Sequence, residues 1–267
     1  MNVERLRKII AYSDKNREEI YSMVKRFCSF AGMEYDSNLL NILQIVRSSF
    51  QKKGYFVFEM PFADDEIGAL CYRGDGLGYV VVNTSLPRVN VNFAIAHEIY
   101  HVFFGESKFV SKVEFTDDHY YEHEEEYAAN LFAGMLLMPE VSFRRMYLKF
   151  KDESRGDEVD TIIQLVSYYQ VPYMAVLIRG LELELIAGNV ISERLLSYDR
   201  DQIRQKLADL WLDESIMDAS NRDDYSHIET IVERLGKAYI EDEYINERTV
   251  RKALRNMREL YTKIRGE

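Results

Sequence analysis

The residues of this chain best suited to chemistry are His97, Glu98 and His101, in the stretch Ala96-His97-Glu98-Ile99-Tyr100-His101. On a helix, residues four apart share a face, so both imidazoles can present a nitrogen to one metal ion. Glu98 follows the first histidine directly and sits beside that face. Its carboxylate can take a proton from a water polarised by the metal without being a ligand itself. This HExxH pattern predicts metal-assisted hydrolysis. The bland alternative is a pair of buried, hydrogen-bonded histidines, and Glu98 between them weighs against it.

A catalytic zinc keeps three protein ligands and leaves a fourth position for water. The acidic run Glu122, Glu124, Glu125 and Glu126, at the start of the next strong helix, is the source for the third. Glu126 has Asn130 one helical turn later on the same face, where its amide could hydrogen-bond around the site. Glu125 and Glu122 stay open as alternatives, as does a solvated first turn stabilised by the helix dipole. His119 and His123 are also four apart. They could form a second metal pair, or one could donate to an oxyanion. A surface loop is the plainer reading of both, and of Tyr120 and Tyr121.

The elements that must position these groups follow from periodicity. Residues 14 to 31 pattern as an amphipathic helix through Ile20, Met23, Val24, Phe27 and Ala31. Asp36-Ser37 can cap a second helix carrying Leu39, Leu43, Val46 and Phe50, which Gly54 ends. Tyr55 to Met60, Glu66 to Tyr72 and Leu77 to Thr84 are rich in β-branched and aromatic residues, with a hairpin signal at Gly74-Asp75-Gly76. They predict a small antiparallel sheet. Pro87 then opens the histidine-bearing helix, and a second strong helix spans about Glu122 to Met138, stopped by Pro139.

Beyond that point the chain reads as helical. Glu158 to Tyr169, a turn at Gln170-Val171-Pro172, and Tyr173 to Leu185 have the outline of a helix-turn-helix. Later helices fall near 200–217, 227–240 and 246–264, with a capping box at Ser226 and Glu229. Ile203, Leu207, Leu210 and Trp211 form one apolar stripe; Val250, Leu254, Met257, Tyr261 and Ile264 form another. Core packing is the default for both.

The block Glu126-x-x-Ala129-Asn130-x-Phe132-Ala133-x-x-Leu136-Leu137-Met138-Pro139, behind His97-Glu98-Ile99-Tyr100-His101, resembles the ImmA/IrrE family of metallo-endopeptidases. The resemblance runs from about Tyr55 to Pro139 and extends weakly through Val171 to Arg179. It implies a zincin-like catalytic domain in an α+β fold. It also implies zinc (Mn2+ or another divalent ion in vivo) held by His97, His101 and Glu126, with Glu98 as general base. Its implied substrate is a helix-turn-helix repressor, whose cleavage derepresses a mobile element or a stress response. One position departs: the residue before the second histidine is commonly glycine in the family, and here it is Tyr100. That ring must pack away from the metal or narrow the cleft.

The expected organisation is N-terminal helices over 1–54, the catalytic domain over 55–140, a helix-turn-helix-like segment over 141–190, and an all-helical C-terminal extension over 191–267. The chain has 267 residues, 47% hydrophobic and 30% charged, with a formal net charge of -11. That charge argues against nonspecific nucleic-acid or anionic-membrane binding. Two cysteines, Cys28 and Cys71, fit free thiols in a reducing cytoplasm. No signal peptide or membrane span is expected. Two other function classes remain. In a DNA-binding regulator, the second helix of the 158–185 pair would offer Arg179 as its only basic residue, beside Glu182 and Glu184, so protein packing fits it better. The other class is a non-proteolytic binding partner with a vestigial metal site. Oligomeric state is not encoded in any motif.

Overall fold

The structure, a computed structural model, describes residues 3–35, 39, 41–65, 67–74, 77–105, 124–187 and 193–266. The fold is α+β, with helices gathered around a three-stranded sheet. Helix α1 covers Val3–Ala31 and starts well before the expected residue 14. Its buried stripe runs Leu6, Ser13, Ile20, Val24 and Phe27, and the polar Ser13 in mid-stripe hides the continuity from a hydrophobicity reading. Helix α2, Ile42–Lys52, buries Ile42, Val46 and Phe50; its expected cap at Asp36-Ser37 lies outside the described residues. Gly54, at φ 80°, then turns the chain into the sheet through backbone space that favours glycine.

Strands β1 (Tyr55–Met60), β2 (Ala69–Gly74) and β3 (Leu77–Asn83) fall close to the predicted runs. The sheet, however, is mixed rather than wholly antiparallel. Its order is β1-β3-β2, with β1 parallel to β3 and β2 antiparallel to β3. The β2–β3 hairpin forms as expected, Gly74 opposite Leu77. What differs is the segment after β1, which crosses the sheet end before β2 begins and so leaves room for β3 in the middle.

Asn83 holds that crossing. Its fully buried amide donates to the carbonyls of Asp64 (2.9 Å) and Ile67 (2.8 Å), while its Oδ1 accepts from the Phe62 and Ser85 backbone amides, both at 3.0 Å. A buried amide satisfied on both sides is a specific lock. The parallel register is fixed by Tyr55, whose ring lies over Gly78; a Cβ there would stand 2.3 Å from Tyr55 Cδ1.

Pro87 leads into α3 (Arg88–Phe104), and α4 (Glu124–Leu137) packs along it. Pro139 both stops α4 and starts a further helix, α5 (Glu140–Glu153), since its fixed φ suits a helix start. Helices α6 (Glu158–Tyr169) and α7 (Tyr173–Glu182) follow with a 108° bend between them. That is the geometry of a helix-turn-helix. Arg179, though, is buried and donates to the Met138 carbonyl (3.1 Å) and to Glu182 Oε2 (3.0 Å), so it faces the core.

The C-terminal region comprises α8 (Glu193–Leu196), α9 (Arg200–Asp209), a 3-10 turn (Glu214–Met217), α10 (Tyr225–Glu241) and α11 (Glu247–Arg265). The capping box appears at Asp199 and Gln202 on α9; at α10 no side-chain cap forms, and Asp224 precedes the helix. Ile203 and Leu207 pack inward as expected, but Trp211 does not: at φ 57°, just beyond α9, it is 96% exposed and Leu212 packs instead. One large core runs from Leu6 to Met217 and lies on one face of the sheet. A smaller cluster of Met60, Phe62, Val81 and Ile264 seals the other face. No described helix is long and apolar enough to cross a membrane.

Candidate metal centre

Helix α3 buries Ile95, Ala96, Ile99 and Tyr100 on its core side. The four-residue spacing then turns His97 and His101 together toward α4. Their Nε2 atoms lie 3.0 Å apart. Glu126, in the first turn of α4, brings one carboxylate oxygen 3.2 Å from His97 Nε2 and the other 3.4 Å from His101 Nε2. The sequence-predicted ligands thus converge from two packed helices, and among the described residues they form a group able to hold a metal ion.

The outer ring nitrogens are also engaged. Asn130 Oδ1 lies 3.0 Å from His97 Nδ1, and Glu125 Oε1 lies 3.4 Å from His101 Nδ1. Both oxygens can only accept, which puts the protons on Nδ1 and leaves two Nε2 lone pairs facing each other beside an anion. A cation between them satisfies that arrangement. Tetrahedral zinc, with bonds of about 2.0–2.1 Å to nitrogen, would separate neighbouring ligand atoms by roughly 3.3 Å. The observed separations bracket that value, so the donor set fits the metal.

Electrostatics agree with the geometry. Burial acts to lower the pKa of His97, but the Glu126 hydrogen bond, the charges of Glu98 and Glu126, and Asn130 together raise it. Glu98 is buried one residue away, and that burial pushes its carboxyl above the usual range, against the pull of His97 and His101.

Tyr100 takes the first of its two options. It is buried, with its ring edge-on to His101 (5.8 Å, 86°) and packed against Phe132 of α4 (6.0 Å). It therefore braces α3 against α4 and does not enter the metal cleft. His119, Tyr120, Tyr121, Glu122 and His123 lie outside the described residues. The contact from Glu125 to His101 is one that no sequence pattern singles out.

Residues 50–180 match the model of the IrrE N-terminal-like domain of the M78 peptidases. No curated protein matches the sequence. The matched span reaches from the end of α2 to α7 and encloses the sheet, α3 and α4. This chain thus carries an IrrE N-terminal-like metallopeptidase domain, and the His-His-Glu cluster sits within it.

Proposed function

We propose that the protein is a zinc-dependent endopeptidase of the cytoplasm that cleaves a helix-turn-helix repressor, and so derepresses a mobile element or a stress response. The observation carrying this reading is the convergence of His97, His101 and Glu126 beside a buried Glu98. A bound divalent ion would supply Lewis acidity toward the attacking water and the scissile carbonyl. Glu98 accepts the proton of that water and later delivers it to the leaving amine. Burial, by raising its pKa, suits it to hold a proton between the two steps. Asn130 fixes the His97 ring. An extended substrate segment would add to β2, which among the described residues has a strand neighbour on one side only and packs beside α3.

The helix-turn-helix outline favours a second reading, direct DNA contact. The 108° bend supports it, but the burial of Arg179 removes its main donor. We therefore assign α6 and α7 a packing role.

The test is incubation of the zinc-loaded chain with a candidate helix-turn-helix repressor, sought first among neighbouring genes, with and without chelator. Cleavage should depend on metal and should fall by at least about a hundredfold in Glu98→Gln, the usual scale for a lost general base, while zinc stays bound. An intact repressor, or undiminished cleavage by Glu98→Gln, would overturn the assignment.

A further inference from the structure

We infer that Glu125 is a positioning residue of the metal centre: its carboxylate holds the outer nitrogen of His101 and thereby fixes the face that this ring offers to the metal. The inference rests on the metal site proposed above. Glu125 and Glu126 are consecutive in the first turn of α4, so they project about 100° apart around the helix axis. One side chain therefore reaches the inner Nε2 atoms while its neighbour reaches around His101 to Nδ1.

The arrangement is completed one turn later, where Asn130 meets the corresponding atom of His97. A single helix thus supplies the third ligand and a partner for each of the two histidines. The partners are unequal. A carboxylate is a charged acceptor and makes its imidazole a stronger donor to metal than a neutral amide does.

Two other roles for Glu125 fit less well. As a ligand it would have to join the triangle, yet its oxygen lies on the Nδ1 side of the ring and the convergent group omits it. As a merely solvated first-turn acid it would have no need of the space cleared for it at the end of α3. Gly105 provides that space: a Cβ there would stand 3.0 Å from Glu125 Oε1 and 2.8 Å from the His101 carbonyl.

The experiment titrates Zn2+ into the full chain against a chromophoric chelator, for wild type, Glu125→Ala, Glu125→Gln and Glu126→Gln. Glu125→Ala should bind zinc roughly 10- to 100-fold more weakly, with the circular dichroism of the metal-free protein unchanged. Glu125→Gln should recover most of that loss, because its amide oxygen still accepts from Nδ1–H. In 15N-edited spectra of the zinc-loaded protein, the Nδ1–H signal of His101 should exchange faster in Glu125→Ala. An affinity within twofold of wild type for Glu125→Ala would overturn the inference. So would a Gln variant as weak as Ala, which would make Glu125 a ligand. If wild type bound zinc no better than Glu126→Gln, the metal reading itself would fail, a distinct result.

Discussion

At the scale of single residues, the site brings the inner nitrogens of two histidines together beside the Glu126 carboxylate. Burial opposes a proton on His97, but Glu126 and Glu98 outweigh it and raise the pKa of that imidazole above its ordinary value. A proton and a divalent metal compete for the same lone pair, so acidification should weaken metal binding. Because the His97 pKa is raised, the weakening should begin above the normal histidine range. Competition titrations across a pH series check this, and a flat affinity down through that range would contradict it. His97, Glu98 and His101 were legible because their spacing encodes one helical face. Glu126 became legible through the block that follows it. The Glu125 contact was not, because it depends on the phase of α4 against α3, which no local pattern records.

Among the elements, α7 shows how an outline can mislead. Its helix-turn-helix bend is present, but Arg179 and Glu182 form an ion pair with side chains only 3% and 4% exposed. Breaking such a pair takes the main partner from a buried charge, at about 3–5 kcal/mol. Arg179→Ala should lose stability on that scale in urea denaturation, whereas Arg179→Met with Glu182→Met should recover most of it. A neutral Arg179→Ala would mean the pair is wetter than the structure shows. The sheet teaches a related lesson. Strand positions were readable from β-branched and aromatic runs, but strand order was not, because it is decided by Asn83 meeting Asp64, Ile67, Phe62 and Ser85 across the crossing. Such contacts are long-range and polar, invisible to hydrophobic periodicity.

Across the whole molecule, the C-terminal region is tied to the sheet at several points. Asp224 donates its amide to the Glu59 carbonyl (2.8 Å) and accepts from the Glu59 amide (3.0 Å), and Arg47 and Arg222 both pair with the buried Glu59 carboxylate. Ile264 closes the cluster over Met60, Phe62 and Val81, and its carbonyl accepts from Ala63 (2.9 Å). Ile264→Ala should cost roughly 2–5 kcal/mol and expose the 218–224 segment to protease, as limited digestion would reveal. Unchanged digestion would show that the ion pairs alone suffice. The apolar stripe ending at Ile264 was readable in the sequence, but its target was not, since nothing local links it to strands some two hundred positions earlier.

That separation in sequence has a consequence for the order of assembly. Contacts between distant parts of a chain form late, because the intervening loop must close first. During synthesis, Met60, Phe62 and Val81 emerge long before Ile264 exists to cover them. The nascent sheet therefore carries an uncovered apolar face through most of translation, and any chaperone that attends this chain should be found on that face.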